Sequence, residues 1–124
     1  MNISALLRDP FEVWVPFLDG RVLIRYVSRQ ELLRLDREAT EITWDRASQI
    51  RKERDPVRAD ILLGRAAVKG WEGLTIDGIP YLHTEENCDF LMTRWVEFAR
   101  FVNDTCVDLQ TLVGAERAMA EKNS

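Results

Sequence analysis

Hydrophobic residues alternate with other residues near the start of the chain. Every second residue from 11 to 17 is apolar and lies on one predicted face: Phe11, Val13, Val15 and Phe17. The opposite face carries Trp14 and Pro16. Residues 22–27 form a second β-prone run, and a turn over residues 18–21 with Asp-Gly at its centre separates the two. This pattern predicts a β-hairpin over residues 11–27, with Pro16 on an edge strand because proline has no N–H for a ladder.

The rest of the chain changes to apolar spacings of three and four, which predict helices. Helix starts are indicated by a capping box from Ser28 to Glu31, by Asp55 before Pro56, and by Thr84 before two glutamates. The last region has a long apolar stripe, consisting of Phe90, Leu91, Trp95, Phe98, Val102, Leu109 and Val113. One helix over residues 85–113 would be unusually long, so a break is expected near Met92–Thr93.

Residues 36–55 are highly charged with mixed signs, which is typical of a solvated helix face with a break near Thr40. The apolar stripe disappears after residue 114, so residues 115–124 are expected to fray. The sequence therefore predicts an α+β, mainly α fold, in which the hairpin is followed by about four helices within residues 29–113. At 124 residues, the chain is expected to form one compact domain over residues 1–124.

The stretch between residues 68 and 87 is the least periodic part of the chain. Six residues in it are expected to build an ordered connection between two helices: Gly70, Trp71, Gly73, Leu74, Gly78 and Thr84. Gly70 is predicted to end a helix in a left-handed cap, and Asp77-Gly78 is predicted to form a tight turn. Trp71 and Leu74 are apolar enough to be buried between the helices.

Composition and charge limit the classes of function. The net charge is −4 with a pI of about 5.1, which argues against nucleic acid as the main partner. No apolar run approaches the length of a membrane span, and the first residues lack the layout of a signal peptide. Cys88 and Cys106 are expected to be reduced core residues of a cytoplasmic protein.

No arrangement of residues in the sequence predicts catalysis, a cofactor or a metal. The single histidine, His83, stands beside a predicted helix cap, and the carboxylates of Glu85, Glu86 and Asp89 are explained by a helix start. Protein binding is the better hypothesis, with Trp14, Phe17 and Arg21 of the hairpin as the expected contact residues. The alternative is that Trp14 faces a second buried surface.

The order of these features resembles the tail assembly chaperones of long-tailed bacteriophages and prophages. The resemblance rests on Ala66-Ala-Val-Lys-Gly-Trp-Glu-Gly-Leu74, on the Ile76-Asp-Gly-Ile-Pro80 turn, and on residues 81–91 with their Thr-Glu-Glu-Asn sequence. An apolar strand, turn, strand and Ser-capped helix before them also fit the family. The similarity spans residues 10–110, whereas residues 36–55 carry no mark of the family.

The resemblance implies a small, mainly helical protein without enzymatic activity that acts in the host cytoplasm and is not expected in the mature virion. Its implied partners are the tape measure protein, which it keeps soluble, and the tail tube protein, which it recruits. Self-association into a homo-oligomer is also expected. The alternatives are a structural tail completion or connector protein, a small hydrolase or metal enzyme, and a regulatory adaptor of the host.

The resemblance also implies a longer product made by a −1 ribosomal frameshift. Residues 121–123 read Glu-Lys-Asn, and these residues admit the codons GAA-AAA-AAC. The sequence A-AAA-AAC within them is a heptamer on which two transfer RNAs can re-pair one base back. Chance occurrence of Lys-Asn in a charged tail is the alternative, and the nucleotide sequence decides between them.

Overall fold

The computed structural model describes residues 11–44 and 50–122. These residues form seven strands, in chain order β1 Glu12–Phe17, β2 Gly20–Arg25, β3 Thr40–Trp44, β4 Ile50–Arg54, β5 Val68–Glu72, β6 Thr75–Ile76 and β7 Ile79–Pro80. The same residues form four helices: α1 Arg29–Glu38, α2 Pro56–Ala67, α3 Glu85–Arg94 and α4 Val96–Lys122. The α+β, mainly α fold with a hairpin and four helices is thus confirmed.

The predicted hairpin forms two strands of a three-stranded antiparallel sheet with the order β1-β2-β5. Trp14 of β1 pairs with Leu23 of β2, which in turn pairs with Gly70 of β5. The turn of the hairpin contains Leu18 and Asp19, one position earlier than the predicted Asp-Gly centre, because Gly20 already pairs with Phe17. The middle strand β2 is the most buried, with Val22 and Ile24 fully inaccessible to solvent.

The inner face of this sheet packs on the helices to form the core. The alternation in β1 is confirmed, because its odd-numbered residues face inward while Glu12, Trp14 and Pro16 are exposed. Phe17 is 8% exposed and contacts Trp95, Phe98 and Phe101 edge-on or tilted. Helices α2, α3 and α4 also pack against one another. The core therefore joins the first and the last elements of the chain.

All three predicted helix starts are confirmed. The Ser28 hydroxyl accepts a hydrogen bond from the Glu31 N–H at 3.1 Å, and the Thr84 hydroxyl accepts one from the Asn87 N–H at 3.0 Å. One Asp55 carboxylate oxygen accepts from two N–H groups at the start of α2. The break in the last helical region is present at Trp95, slightly later than the predicted Met92–Thr93.

The charged region over residues 36–55 differs from the expected helix. The break near Thr40 is confirmed, but β3 and β4 then form a separate antiparallel hairpin. Every residue of β4 is exposed. Because neither face of the strand is buried, its sequence lacks the alternation of apolar and polar residues that would predict a strand. Residues 45–49 lie outside the described part of the chain. The helical part predicted over residues 29–113 therefore contains five strands among the described residues.

The prediction for Gly70 was wrong. Helix α2 ends at Ala67, and Val68 already has an extended backbone, so Gly70 lies inside β5 rather than in a left-handed cap. The left-handed glycines are Gly73 and Gly78, with φ of 83° and 78°. The Asp77-Gly78 turn between β6 and β7 is confirmed.

The end of the chain also differs from the expectation. Helix α4 continues to Lys122, so the tail predicted to fray is helical beyond Val113. The proposed frameshift site includes Asn123, which lies outside the described residues.

Candidate functional site

An apolar groove opens between the tip of the β1–β2 hairpin, the short β6–β7 hairpin and α3. It has a volume of about 330 Å³ and is lined by Leu18, Asp19, Gly73, Leu74, Thr75, Ile76, Tyr81, Phe90, Leu91 and Trp95. Asp19 is the one charged residue among them. A groove of this composition accepts apolar side chains and has little capacity for acid–base chemistry.

Leu18 forms one wall of the groove at the tip of the first hairpin. Its side chain is 67% exposed, and its φ of 50° lies in the left-handed region. That conformation costs a non-glycine residue about 1–2 kcal/mol, and exposure of a leucine gains nothing in return. Because burial of the side chain does not offset the cost of this backbone conformation, Leu18 is a candidate for a residue retained for binding.

The β6–β7 hairpin forms the second wall. Ile76 and Ile79 are paired with each other and are 57% and 65% exposed. Asp77 and Gly78 both have positive φ, which suits a tight hairpin turn. The turn therefore holds two isoleucines at the surface, where the fold itself does not bury them.

Trp71 of β5 does not line the groove, but it contacts Tyr81, which does. As predicted, Trp71 is buried, at 7% exposure. Its indole N–H donates to the carbonyl oxygen of Tyr81 at 2.5 Å, and the two rings stack at 6.0 Å. The Tyr81 N–H donates to the carbonyl oxygen of Leu74 at 2.8 Å. Leu74 is only partly buried, so the prediction of its burial is met in part.

Helix α3 forms the third wall and presents Phe90 to solvent. Phe90 is 54% exposed, although its spacing predicted an inward position. The orientation of α3 is set by its other faces. Cys88 and Met92 are buried, and Asp89 binds the Arg65 guanidinium of α2 at 2.8 Å. Because those faces pack against α2 and the core, Phe90 points away from the core toward solvent.

The three residues predicted for protein binding do not share one surface. Phe17 is a core residue, because it lies on the inner face of the sheet against α4. Trp14 is 37% exposed on the outer face, as expected, and the Arg21 guanidinium lies 4.2 Å from the centre of its ring. Arg21 also binds the Glu72 carboxylate at 2.8 Å. The outer face thus carries a Trp14–Arg21–Glu72 cluster.

Sequence reasoning did not identify the groove residues Leu18, Ile76 and Phe90. A signal was nevertheless present for the first two, since apolar side chains at turn positions have no periodic partner face. Phe90 gave no such signal, because its spacing matches that of the buried stripe.

Both cysteines and the histidine are at least partly buried. Burial raises the pKa of the Cys88 thiol to about 12 and that of the Cys106 thiol to about 11, so both are protonated near neutral pH. Burial lowers the pKa of His83, which contacts Trp71 edge-on at 4.8 Å. Arg65 pairs with both Glu85 and Asp89. Within residues 11–44 and 50–122, no group of three or more His, Cys, Asp or Glu side chains is arranged to hold a metal ion.

No protein-family model, curated protein or solved structure matches this chain. In the described part of the chain, no helix is both long and apolar enough to cross a membrane. The groove and the Trp14–Arg21–Glu72 cluster are therefore interpreted from their own geometry.

Proposed function

We propose that this chain is a chaperone of phage tail assembly that acts in the host cytoplasm. Its client is the tape measure protein, and it brings tail tube subunits to that client. The observation that carries the protein-binding part of the proposal is the groove, where Leu18, Ile76 and Phe90 remain exposed although their burial would stabilise the fold.

The assignment to tail assembly is supported by the ordered sequence features around residues 66–91. The groove gives a physical reason for those features. Trp71 contacts the lining residue Tyr81 through a hydrogen bond and ring stacking, and the Asp77-Gly78 turn joins the two strands of one wall. Thr84 caps the helix that carries Phe90. A chaperone for an apolar client needs such a surface rather than a catalytic centre.

Co-expression tests this proposal. The tape measure protein of the same phage or prophage is produced with and without this chain, and its soluble fraction is measured. The proposal predicts a several-fold larger soluble fraction with the wild-type chain. Phe90→Ser is expected to remove that gain, because it places a hydroxyl in the apolar wall.

Val107→Ser is the matched control, since Val107 is an exposed apolar residue of α4 at 57% exposure and does not line the groove. It is expected to behave like the wild type. A tape measure protein that is equally soluble without the chain contradicts the proposal. Recovery of the chain in purified particles would favour a structural tail component instead.

A further inference from the structure

We infer that the groove binds the apolar face of an amphipathic helix whose flanking positions carry lysine or arginine. The inference rests on the proposed protein-binding function of the groove and adds the structure and the charge of the bound segment. Three observations carry it: the lining of the groove, its volume, and the charges around its rim.

The lining favours a helix over an extended segment. An extended segment in an apolar site needs a free strand edge to satisfy its backbone. The only strand residues in the lining are Thr75 and Ile76. They pair with Pro80 and Ile79 on one side, and the other edge of this two-residue strand is too short to pair with an extended segment over more than two residues. The remaining walls are a turn and the side chains of α3. A helix satisfies its own backbone hydrogen bonds and needs only side-chain contacts.

The volume fits a short row of anchoring side chains. About 330 Å³ is near the lower end of the range for ligand pockets, which is too small to enclose a helix. It is sufficient for apolar side chains projecting from one helix face at positions i and i+3 or i+4. The exposed Leu18, Ile76 and Phe90 then pack around those anchors from three sides.

The rim gives the charge of the partner. Asp19 lines the groove, Asp77 follows Ile76 in the turn, and Glu86 lies one helical turn before Phe90 on α3. All three are exposed, and none forms an ion pair with another described residue. Arg94 lies one helical turn after Phe90 on the same face of α3, and it is an exposed cation. Three carboxylates against one guanidinium favour a partner with a positive flank.

Fluorescence polarisation with synthetic peptides tests the inference. Two labelled peptides of about 18 residues share leucines at i, i+3, i+4 and i+7, and differ only in Lys or Glu at the flanking positions. A third peptide has the composition of the Lys peptide with prolines that prevent a helix. The Lys peptide is expected to bind about tenfold more tightly than the Glu peptide at low ionic strength, and the difference is expected to shrink with added salt.

Variants of the whole chain assign this binding to the groove. Phe90→Ser is expected to weaken binding of the Lys peptide about tenfold, whereas Val107→Ser leaves it unchanged. Replacing Asp19, Asp77 and Glu86 by their amides is expected to remove most of the Lys-over-Glu preference. The control triple variant Asp104→Asn, Asp108→Asn, Glu53→Gln changes the net charge equally at exposed positions outside the lining, and it should retain the preference.

Four results would overturn the inference. These are equal affinity for the Lys and Glu peptides, tighter binding of the proline peptide, no effect of Phe90→Ser, and a self-associated wild-type chain that Phe90→Ser converts to a monomer. The last result would mean that a second copy fills the groove. If the peptides fail but the chain still solubilises the tape measure protein, only this inference fails. If the Lys peptide binds as described but the tape measure protein is unaffected, only the tail-assembly function fails.

Discussion

Gly64 of α2 lies directly against the Met92 side chain of α3. A Cβ atom on Gly64 would lie 2.6 Å from Met92 Cγ and 3.2 Å from the Cys88 sulfur, so the two helices are as close as a glycine permits. This close approach fixes α3 on α2. It therefore also determines which face of α3, the one with Phe90, is left for the groove.

Gly64→Ala is expected to destabilise the protein, although alanine is the better helix former. The gain in helix propensity is up to about 1 kcal/mol, while forcing extra volume into a packed core costs about 1–3 kcal/mol. The net loss should be up to about 2 kcal/mol in the free energy of unfolding, measured by urea denaturation. Gly114→Ala is the control, because Gly114 lies in α4 with no atom within 4 Å of an added Cβ. It should stabilise by about 0.5–1 kcal/mol, and equal stabilisation by both variants would contradict the packing argument.

Much of the fold could be predicted from local sequence signals. The hairpin and the three helix caps each depend on residues within a few positions of one another. Strand β5 could not be predicted, because its partner is distant along the chain and the pairing with β2 shifts between Leu23 and Ile24. That irregularity buries Val68 and Trp71, which are three residues apart, so the strand has a helical spacing. It was therefore interpreted as the end of a helix.

The groove could be predicted only in part for a different reason. Trp71 and Tyr81 are apolar residues in an aperiodic stretch, and burial of the first follows from that alone. Phe90 and Cys88 belong to the same short helix, and contacts with α2, the packing of Met92 on Gly64 above all, decide that Cys88 faces inward and Phe90 outward. Packing between helices of this kind is not encoded in the spacing within either helix.

Gly73 and Gly70 are expected to respond differently to alanine. Gly73 has a φ of 83°, and an added Cβ would lie 2.8 Å from the Gly20 Cα atom, so Gly73→Ala should cost about 1–3 kcal/mol. Gly70 has no positive φ, and its added Cβ would meet Leu23 and Trp14 at an ordinary 3.9 Å. Gly70→Ala should therefore change stability by less than about 1 kcal/mol. Thermal unfolding of both variants provides the measurement, and a larger loss of stability for Gly70→Ala than for Gly73→Ala would contradict this assignment of the strained position.

His83 is expected to make the protein less stable in mild acid. Burial lowers its pKa from the ordinary 6.5, helped by nearby Lys69, while a backbone hydrogen bond with Val68 opposes the shift. The unfolded chain therefore takes up a proton first as the pH falls below about 6.5, and the free energy of unfolding falls until the folded form is protonated as well. The slope is at most about 1.4 kcal/mol per pH unit.

His83→Gln isolates this effect, because His83 is the only histidine and free carboxylates titrate near pH 4. Urea denaturation between about pH 7.5 and about pH 5.5 should show a decline in the wild type and a flatter dependence in the variant. An identical decline in both proteins would assign the acid sensitivity to other groups.

Trp14 is expected to mediate self-association through the free edge of β1. The Tyr26 N–H donates to the Phe11 carbonyl oxygen at 2.7 Å, so odd-numbered residues of β1 direct their backbone groups toward β2. The N–H groups of Glu12 and Trp14 then point to the opposite edge, where no described strand pairs with them. Pro16 has no N–H, which limits pairing to the first half of the strand.

Trp14→Ser should weaken self-association and leave the fold intact, because Trp14 is already 37% exposed. Within the chain, the substitution removes the cation–π interaction with Arg21, worth about 0.5–1 kcal/mol at an exposed site. Sedimentation velocity across a range of concentrations measures the association, and circular dichroism checks the fold. Val107→Ser, which changes exposed apolar surface on α4, should associate like the wild type. A wild-type chain that stays monomeric at all concentrations, or a Trp14→Ser variant with unchanged oligomers, would mean that β1 is not an interface between copies.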